Sequence, residues 1–131
     1  MSMDYLADTV TIIRHFSRTG VIGRAARQAL AGAERGKDRV FLSVLSLVEI
    51  MYLAQKKRIP IDLTETIGII NESENYHMIN LTTDIVAVAE RISFPELFDR
   101  LIIATACVLN VPLLTPDREI SDSGLLPVVW D

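Results

Sequence analysis

The chain has 131 residues, half of them apolar and 23% charged, with a formal net charge of −4. That length accommodates one domain with a real core, and the composition is that of an ordinary soluble protein. The negative total excludes unspecific nucleic-acid binding through a global positive field, but a local basic patch or a bound metal could still reverse the sign near a site.

A single cysteine, Cys107, rules out an internal disulfide framework and suits a reducing cytoplasm. It lies in an apolar helical stretch and reads as a small packing residue. Met1 to Asp8 has neither a basic start nor an apolar core segment, so no secretory signal is expected. The longest largely apolar run, Leu101 to Leu109, is far short of the about 20 residues a membrane span needs. There is no internal repeat, low-complexity tract or linker, so residues 1–131 read as one domain.

In chain order, Tyr5-Leu6-Ala7 predicts a first strand with Asp8 at its carboxyl end. Thr11 to Phe16 predicts a short helix broken at Gly20. Gly23 to Ala33 predicts a better one, with Ala25, Ala26, Ala29, Leu30 and Ala33 at helical spacing and Gly36 where it should stop. Val40-Phe41-Leu42 predicts the second strand. Leu45 to Lys57 predicts an apolar helix closed by Lys56, Lys57 and Arg58, the charge its carboxyl end favours, and Pro60 prevents continuation. Asp62 to Glu74 reads as a more exposed helix, His77 to Leu81 as a third strand, and Thr83 to Ile92 as a helix capped by Thr82 or Thr83.

The stretch FPELFDRLIIATACVLNVPLLTPDREI, Phe94 to Ile120, is the most apolar part of the chain. It predicts a helix entered near Pro95, with Ser93 and Glu96 at capping-box spacing, a turn at Asn110, a strand over Val111 to Leu114 and then a polar loop. Leu101, Ile102, Ile103, Ala104, Ala106, Val108 and Leu109 leave that helix no polar face, the pattern of a buried helix. Pro127 to Trp130 predicts a short last strand at a sheet edge. Strands alternating with helices give an α/β sandwich around a mainly parallel sheet.

Four carboxylates stand out. In open parallel sheets the ligand crevice lies beyond the carboxyl ends of the strands, where Asp8 and Asp117 both fall. Asp99 opens the apolar helix, and Glu49 interrupts another, where an unpaired carboxylate is costly. Each has a simpler role. Asp8 can cap a helix, Asp99 can complement a helix dipole, Asp117 suits a turn, and Glu49 can lie on a solvated stripe with Ser46 and Lys56. One shared site accounts for all four at once. Clustered carboxylates repel and call for hard cations with oxygen ligands, Mg²⁺ or Mn²⁺. Zinc is disfavoured, because His15 and His77 show no ligand spacing with each other or with Cys107.

Tyr-Leu-Ala-Asp8-Thr, Ser-Leu-Val-Glu49-Ile, Phe-Asp99-Arg-Leu-Ile-Ile-Ala-Thr-Ala and Leu-Leu-Thr-Pro-Asp117-Arg-Glu-Ile strongly resemble the PIN-domain nucleases. The likeness runs from Tyr5 to Trp130, includes Ser123-Gly124-Leu125, and is greatest to compact bacterial VapC-type toxins. It implies a three-layer α/β/α sandwich with an acidic pocket. It further implies Mg²⁺- or Mn²⁺-dependent endoribonuclease activity on RNA, dimerisation into a homodimer, and often an antitoxin partner. Carried over by position, Asp8, Glu49, Asp99 and Asp117 match the family's acidic quartet, expected to hold metal, and Thr115 its pocket hydroxyl. Val10 departs from the Asn or Ser the family often has there. Arg100, Arg118, Arg14 and the Lys56-Lys57-Arg58 cluster are candidates for phosphate contact. Two other readings compete. One is a PIN-like fold used only for binding RNA or protein. The other is an Mg²⁺-binding receiver-like signalling module, disfavoured because no acid adjoins Asp8 and no lysine follows a late strand.

Overall fold

The computed structural model describes residues 2–131; Met1, where the stretch inspected for a secretory signal begins, lies outside them. Five strands, β1 (Asp4–Ala7), β2 (Arg39–Ser43), β3 (Tyr76–Ile79), β4 (Leu113–Leu114) and β5 (Val128–Val129), form one sheet. Their order is β3-β2-β1-β4-β5 and every pairing is parallel. The helices are α1 (Thr9–Ser17), α2 (Arg24–Glu34), α3 (Val44–Gln55), α4 (Leu63–Glu72), α5 (Thr83–Arg91), α6 (Leu97–Leu109) and α7 (Arg118–Asp122).

Successive strand residues point to opposite faces of a sheet. Leu6 and Leu113 accordingly pack with Ile85, Ile102, Ile103 and Ile120 of α5, α6 and α7. Their neighbours Ala7 and Leu114 pack on the other face with Ile12, Leu30, Ile50 and Ile70 of α1 to α4. This is the expected three-layer α/β/α sandwich. Leu6, Leu113 and Leu114 have no exposed surface, and burying a side chain of that size contributes about 1.5–3 kcal/mol. Among the described residues no helix is long and apolar enough to cross a membrane.

Several element boundaries differ from the sequence expectations, each for a local reason. β3 runs Tyr76–Ile79 rather than to Leu81, because its partner β2 ends opposite Ile79 at Ser43, which caps α3. β4 is only Leu113–Leu114. Pro112 has no N–H to give the ladder, although its carbonyl accepts from Leu6 N at 3.0 Å. Pro95 precedes α6 instead of sitting in its first turn, and Ser93 caps nothing there. Glu96 is itself the cap, its Oε2 accepting from Asp99 N at 2.7 Å. The polar loop expected after β4 is partly helical, since Asp117 Oδ1 accepts from Glu119 N and Ile120 N and starts α7. Finally, α6 is buried from Ile102 to Ala106 but not at its end. Cys107 and Val108 are exposed, so Cys107 is not the core packing residue its neighbours suggest.

Gly36 stops α2 as expected, in the left-handed region at φ 77°. Gly32, one helical turn earlier, is a tighter constraint. A Cβ there would collide with Oδ2 of Asp38, whose other oxygen accepts from Met3 N at 2.9 Å in a buried position. Gly32→Ala should therefore cost about 1–3 kcal/mol, the usual range for overpacking, despite alanine's better helix propensity. Chemical denaturation of the two proteins checks this; equal midpoints would mean that Asp38 moves freely.

Candidate active site

The sheet changes direction at β1, whose neighbours are β2 on one side and β4 on the other. In such sheets the crevice beyond the carboxyl ends, between the strands flanking the reversal, is where ligands bind. Asp8 follows β1 directly, and its N–H donates to the Leu114 carbonyl at 3.1 Å. Thr115 follows β4 and is wholly buried, with Asp117 two residues on. Only Asn110 to Pro112 separate α6 from the start of β4, so α6 ends at the amino edge of the sheet and its first turn, with Asp99, reaches the carboxyl edge. Helix α3 starts at that edge immediately after β2 and carries Glu49 in its second turn. The amino ends of α1, α3, α6 and α7 thus gather around the carboxylates, and their dipoles offset part of the negative charge.

Asp8 and Asp117 both do the simpler job their positions suggested. Asp8 Oδ1 caps α1, accepting from Thr11 N at 2.9 Å and lying 2.7 Å from Thr11 Oγ1. Asp117 Oδ1 caps α7, and Asp117 N donates to Thr115 Oγ1 at 3.1 Å. In both, the cap engages Oδ1, so capping and ligand binding through the second oxygen are compatible. Glu49 is not on a solvated stripe with Ser46, which is fully buried. Glu49 Oε1 lies 2.6 Å from Thr9 Oγ1, which is also 2.9 Å from Ser46 Oγ. The threonine hydroxyl has one proton, and the carboxylate is the stronger acceptor.

Charge and burial act together on these groups. Asp99 is pushed up to about 7, first by burial and then by the charges of Glu96, Asp117, Glu49 and Asp8. No hydrogen bond to its carboxylate offsets this among the described residues. Burial also raises Asp8, against hydrogen bonds from Thr115 and Thr11, and Asp117 adds to the rise. Glu49 is raised by burial, held back by Thr9, and raised further by Glu96 and Asp8. Asp8, Glu49 and Asp117 therefore all lie within electrostatic reach of Asp99.

Glu96 is a fifth acid in this neighbourhood, foremost among the charges acting on both Asp99 and Glu49. Its spacing three residues before Asp99 puts the two on one helical face, a signal that assigning it to a capping box concealed. Thr9 and Thr11 were likewise visible only as neighbours of Asp8. Among the candidate phosphate contacts, Arg118 is exposed at the start of α7, near Asp117. Arg100 Nε is buried without a hydrogen-bond partner among the described residues, one residue from Asp99. Arg14 instead donates to the Val21 carbonyl at 2.8 Å and lines a separate groove, so it is not brought to the carboxylates. Lys56 caps the far end of α3 and stacks its ammonium on Tyr52, and Lys57 and Arg58 are exposed beyond it. Neither histidine joins the site. His15 Nε2 meets Glu34 and Tyr76, and His77 packs against Phe41.

Among the described residues no three acidic, histidine or cysteine side chains stand close enough to enclose an ion directly. The donor set is nonetheless all oxygen, and among the described residues Asp99 lacks any partner that would neutralise it. Those are the features a hard divalent cation satisfies, and Mg²⁺ keeps several waters that bridge to ligands it does not touch. The residues suit such an ion, held partly through water or after the carboxylates draw inwards.

An all-parallel α/β/α sandwich with acids gathered at its topological switch point defines a class of small acidic-pocket domains. The sequence model of the PIN domain matches residues 5–124, and the chain belongs to that family. Its fold is shared with solved toxin–antitoxin complexes. A chain of VapBC2 from Rickettsia felis, bound to a DNA fragment from its promoter, superposes with a TM-score of 0.74 at 15% identity, covering 98% of this chain and 100% of that one. A chain of a Klebsiella pneumoniae toxin–antitoxin complex gives 0.64 at 23% identity, with coverage of 93% and 94%. VapBC-1 from nontypeable Haemophilus influenzae gives 0.66 at 18% identity, with 96% of each chain covered. No curated protein sequence matches the chain.

Proposed function

We propose that this PIN domain is a divalent-metal-dependent endoribonuclease, the toxin of a toxin–antitoxin pair. The observation that carries the proposal is Asp99, a half-buried carboxylate raised to about 7 and surrounded by four other acids. A fold that keeps so unfavourable a cluster at its ligand crevice is organised to hold a cation there.

Asp8, Asp99 and Asp117 would supply oxygen ligands to Mg²⁺ or Mn²⁺, and Glu49 would reach it directly or through water. Bound there, the cation would polarise a phosphodiester and acidify an attacking water. Thr115, which bonds to Asp8 and to the Asp117 backbone, keeps the two aspartates in register across the switch point. Glu49 has Oε1 committed to Thr9, so Oε2 would take a proton from the attacking water as its oxygen bonds to phosphorus, while the P–O ester bond breaks and the departing oxygen takes its proton from solvent. The raised basicity of Glu49 favours that role. Arg100 and Arg118 would contact the phosphate. The unpaired Arg100 Nε is a cost that a phosphate drawing the guanidinium outwards would relieve.

The partners proposed are an antitoxin and a second copy of the chain. Support for a protein partner comes from α3, where Val48, Met51 and Tyr52 are exposed, and Val48 and Tyr52 line a groove with Phe98 beside Glu49. An antitoxin segment lying there would close the acidic pocket. One observation favours the alternative of a binding module without catalysis: Asp8 and Asp117 already serve as caps. Incubation of the protein with mixed RNAs, with and without Mn²⁺, decides between them. We expect internal cleavage only with metal, and intact RNA at every metal concentration would leave the binding module.

A further inference from the structure

The charge of this chain is sharply segregated. From Thr9 to Ala33 there are four arginines, Arg14, Arg18, Arg24 and Arg27, and no carboxylate, in a chain whose total is −4. The remaining residues therefore carry −8. The fold gathers three of those arginines, Arg14, Arg18 and Arg27, around a groove of 380 Å³ between α1, the α1–α2 loop and α2, with Thr19 and Gly20 in its wall.

Two of the three guanidinium groups are held in place by the loop they line. Arg14 Nη1 donates to the Val21 carbonyl at 2.8 Å, and Arg27 Nη2 donates to the adjacent Ile22 carbonyl at 3.0 Å. The stem of Arg14 packs on Gly20, where the chain takes φ 69° and a Cβ would stand 3.0 Å from it. Each guanidinium has five N–H groups, so one bond to a carbonyl leaves most of them for a ligand. Holding the side chain beforehand reduces the entropy lost when that ligand arrives. Glu34 is a carboxylate this cluster acts on: the Tyr76 hydrogen bond foremost, then His15 and Arg18, hold it below its ordinary value. Glu34 also accepts from Tyr76 Oη at 2.8 Å and meets His15 Nε2 at 3.0 Å, so its charge is shared among these partners.

We propose that this arginine groove is a docking surface for the phosphate backbone of single-stranded RNA, separate from the acidic pocket. The proposal rests on the nuclease reading for the identity of its ligand. Arginines grip phosphates without reading bases, which matches a groove lined by three guanidinium groups, whose one ring, His15, is engaged by Glu34 and Tyr76. It also explains how an acidic protein retains an anionic substrate. Helix α1 links the two features, with Asp8 at its amino end and Arg14 and Arg18 at its carboxyl end. A strand gripped at the groove is thus tethered about one α1 length, roughly 14 Å, from the carboxylates.

The test is binding of fluorescein-labelled single-stranded RNA of mixed sequence, followed by anisotropy in EDTA across a range of KCl, so that cleavage plays no part. The proteins are wild type, Arg18→Gln with Arg27→Gln, and Arg18→Lys. Each phosphate contact on a single strand contributes about 0.7 to the slope of log K against log salt. The double variant should lose about 1.4 of that slope, so its deficit in affinity should widen about 25-fold between 1 M and 0.1 M salt. Arg18→Lys, which keeps the charge, should keep the wild-type slope. An unchanged slope in the double variant overturns the proposal, and so does an equal loss in Arg18→Lys, which would point to loop structure. A polyglutamate peptide that binds through these arginines while RNA does not would assign the groove to an acidic protein instead. Cleavage of the same RNA with Mn²⁺ is scored separately. Arginine-dependent binding without cleavage would sink the nuclease reading and leave the groove, whereas cleavage with unaltered binding in the double variant would do the reverse.

Discussion

Asp99→Asn should leave a folded protein that has lost its ribonuclease activity and is, without metal, as stable as wild type or more so. The substitution nearly preserves shape and removes one charge from a group of five acids. Asp99 is pushed up to about 7, and its carboxylate has no hydrogen bond to lose among the described residues. Its backbone N–H still donates to Glu96 Oε2, so the cap of α6 survives. The opposing effect is a favourable charge removed from a helix amino end, about 0.3–1 kcal/mol. Relief of repulsion from Glu96, Asp117, Glu49 and Asp8 should match or exceed that. Activity should fall by more than the roughly 10–100-fold typical of losing an outer-shell partner, since an amide is a poor ligand for a hard cation. Unfolding in EDTA and cleavage with Mn²⁺, measured side by side, check both halves. Full cleavage by a well-folded Asp99→Asn protein would reduce Asp99 to a helix-start charge.

The alternation of short apolar strands with helices made the sandwich legible, because burial on both faces leaves continuous runs such as Tyr5-Leu6-Ala7 and Val40-Phe41-Leu42. The caps Asp8, Ser43, Asp62, Thr82 and Asp117 mark helix starts through the same bonds their residue types offer in any helix. What was not legible depended on partners distant in sequence. β3 ends where β2 ends, a fact written 36 residues earlier at Ser43. Cys107 and Val108 are apolar yet exposed because α6 outruns the neighbours that cover it, and composition alone cannot report that. The five residues of α7 are too few for a periodic pattern. Within the site, the quartet stood out because isolated acids among apolar residues need a reason. Thr9, by contrast, acquires meaning only when α1 packs on α3 and brings its hydroxyl to Glu49, 40 residues away.

Metal and pH should act on stability in opposite senses. A carboxyl group whose folded pKa is raised binds its proton more tightly in the folded state, so protonation stabilises the fold. For Asp99, ordinarily at 3.8 and here about 7, the metal-free protein should lose stability as pH rises through that window. The group is partly open to solvent screening, so the loss is about 1–2 kcal/mol rather than the full shift. Asp8 and Glu49, both raised, add to it in the same direction. Asp4 and Glu34, both lowered, oppose it only below their ordinary values of 3.8 and 4.5. A divalent cation binds the ionised carboxylates, so its stabilisation grows with pH. At a hundredfold excess over its dissociation constant it contributes about 2.7 kcal/mol, enough to reverse the pH trend. Melting curves from pH 4.5 to 7.5, with EDTA or with Mn²⁺, should therefore converge at the acid end and separate at the neutral end. Asp8→Asn keeps a good helix cap and removes one ligand, so the separation should shrink in that variant. An equal Mn²⁺-induced shift in wild type and Asp8→Asn would remove Asp8 from the metal site, and a metal-free protein that gains stability between pH 4.5 and 7 would contradict the raised carboxyl of Asp99.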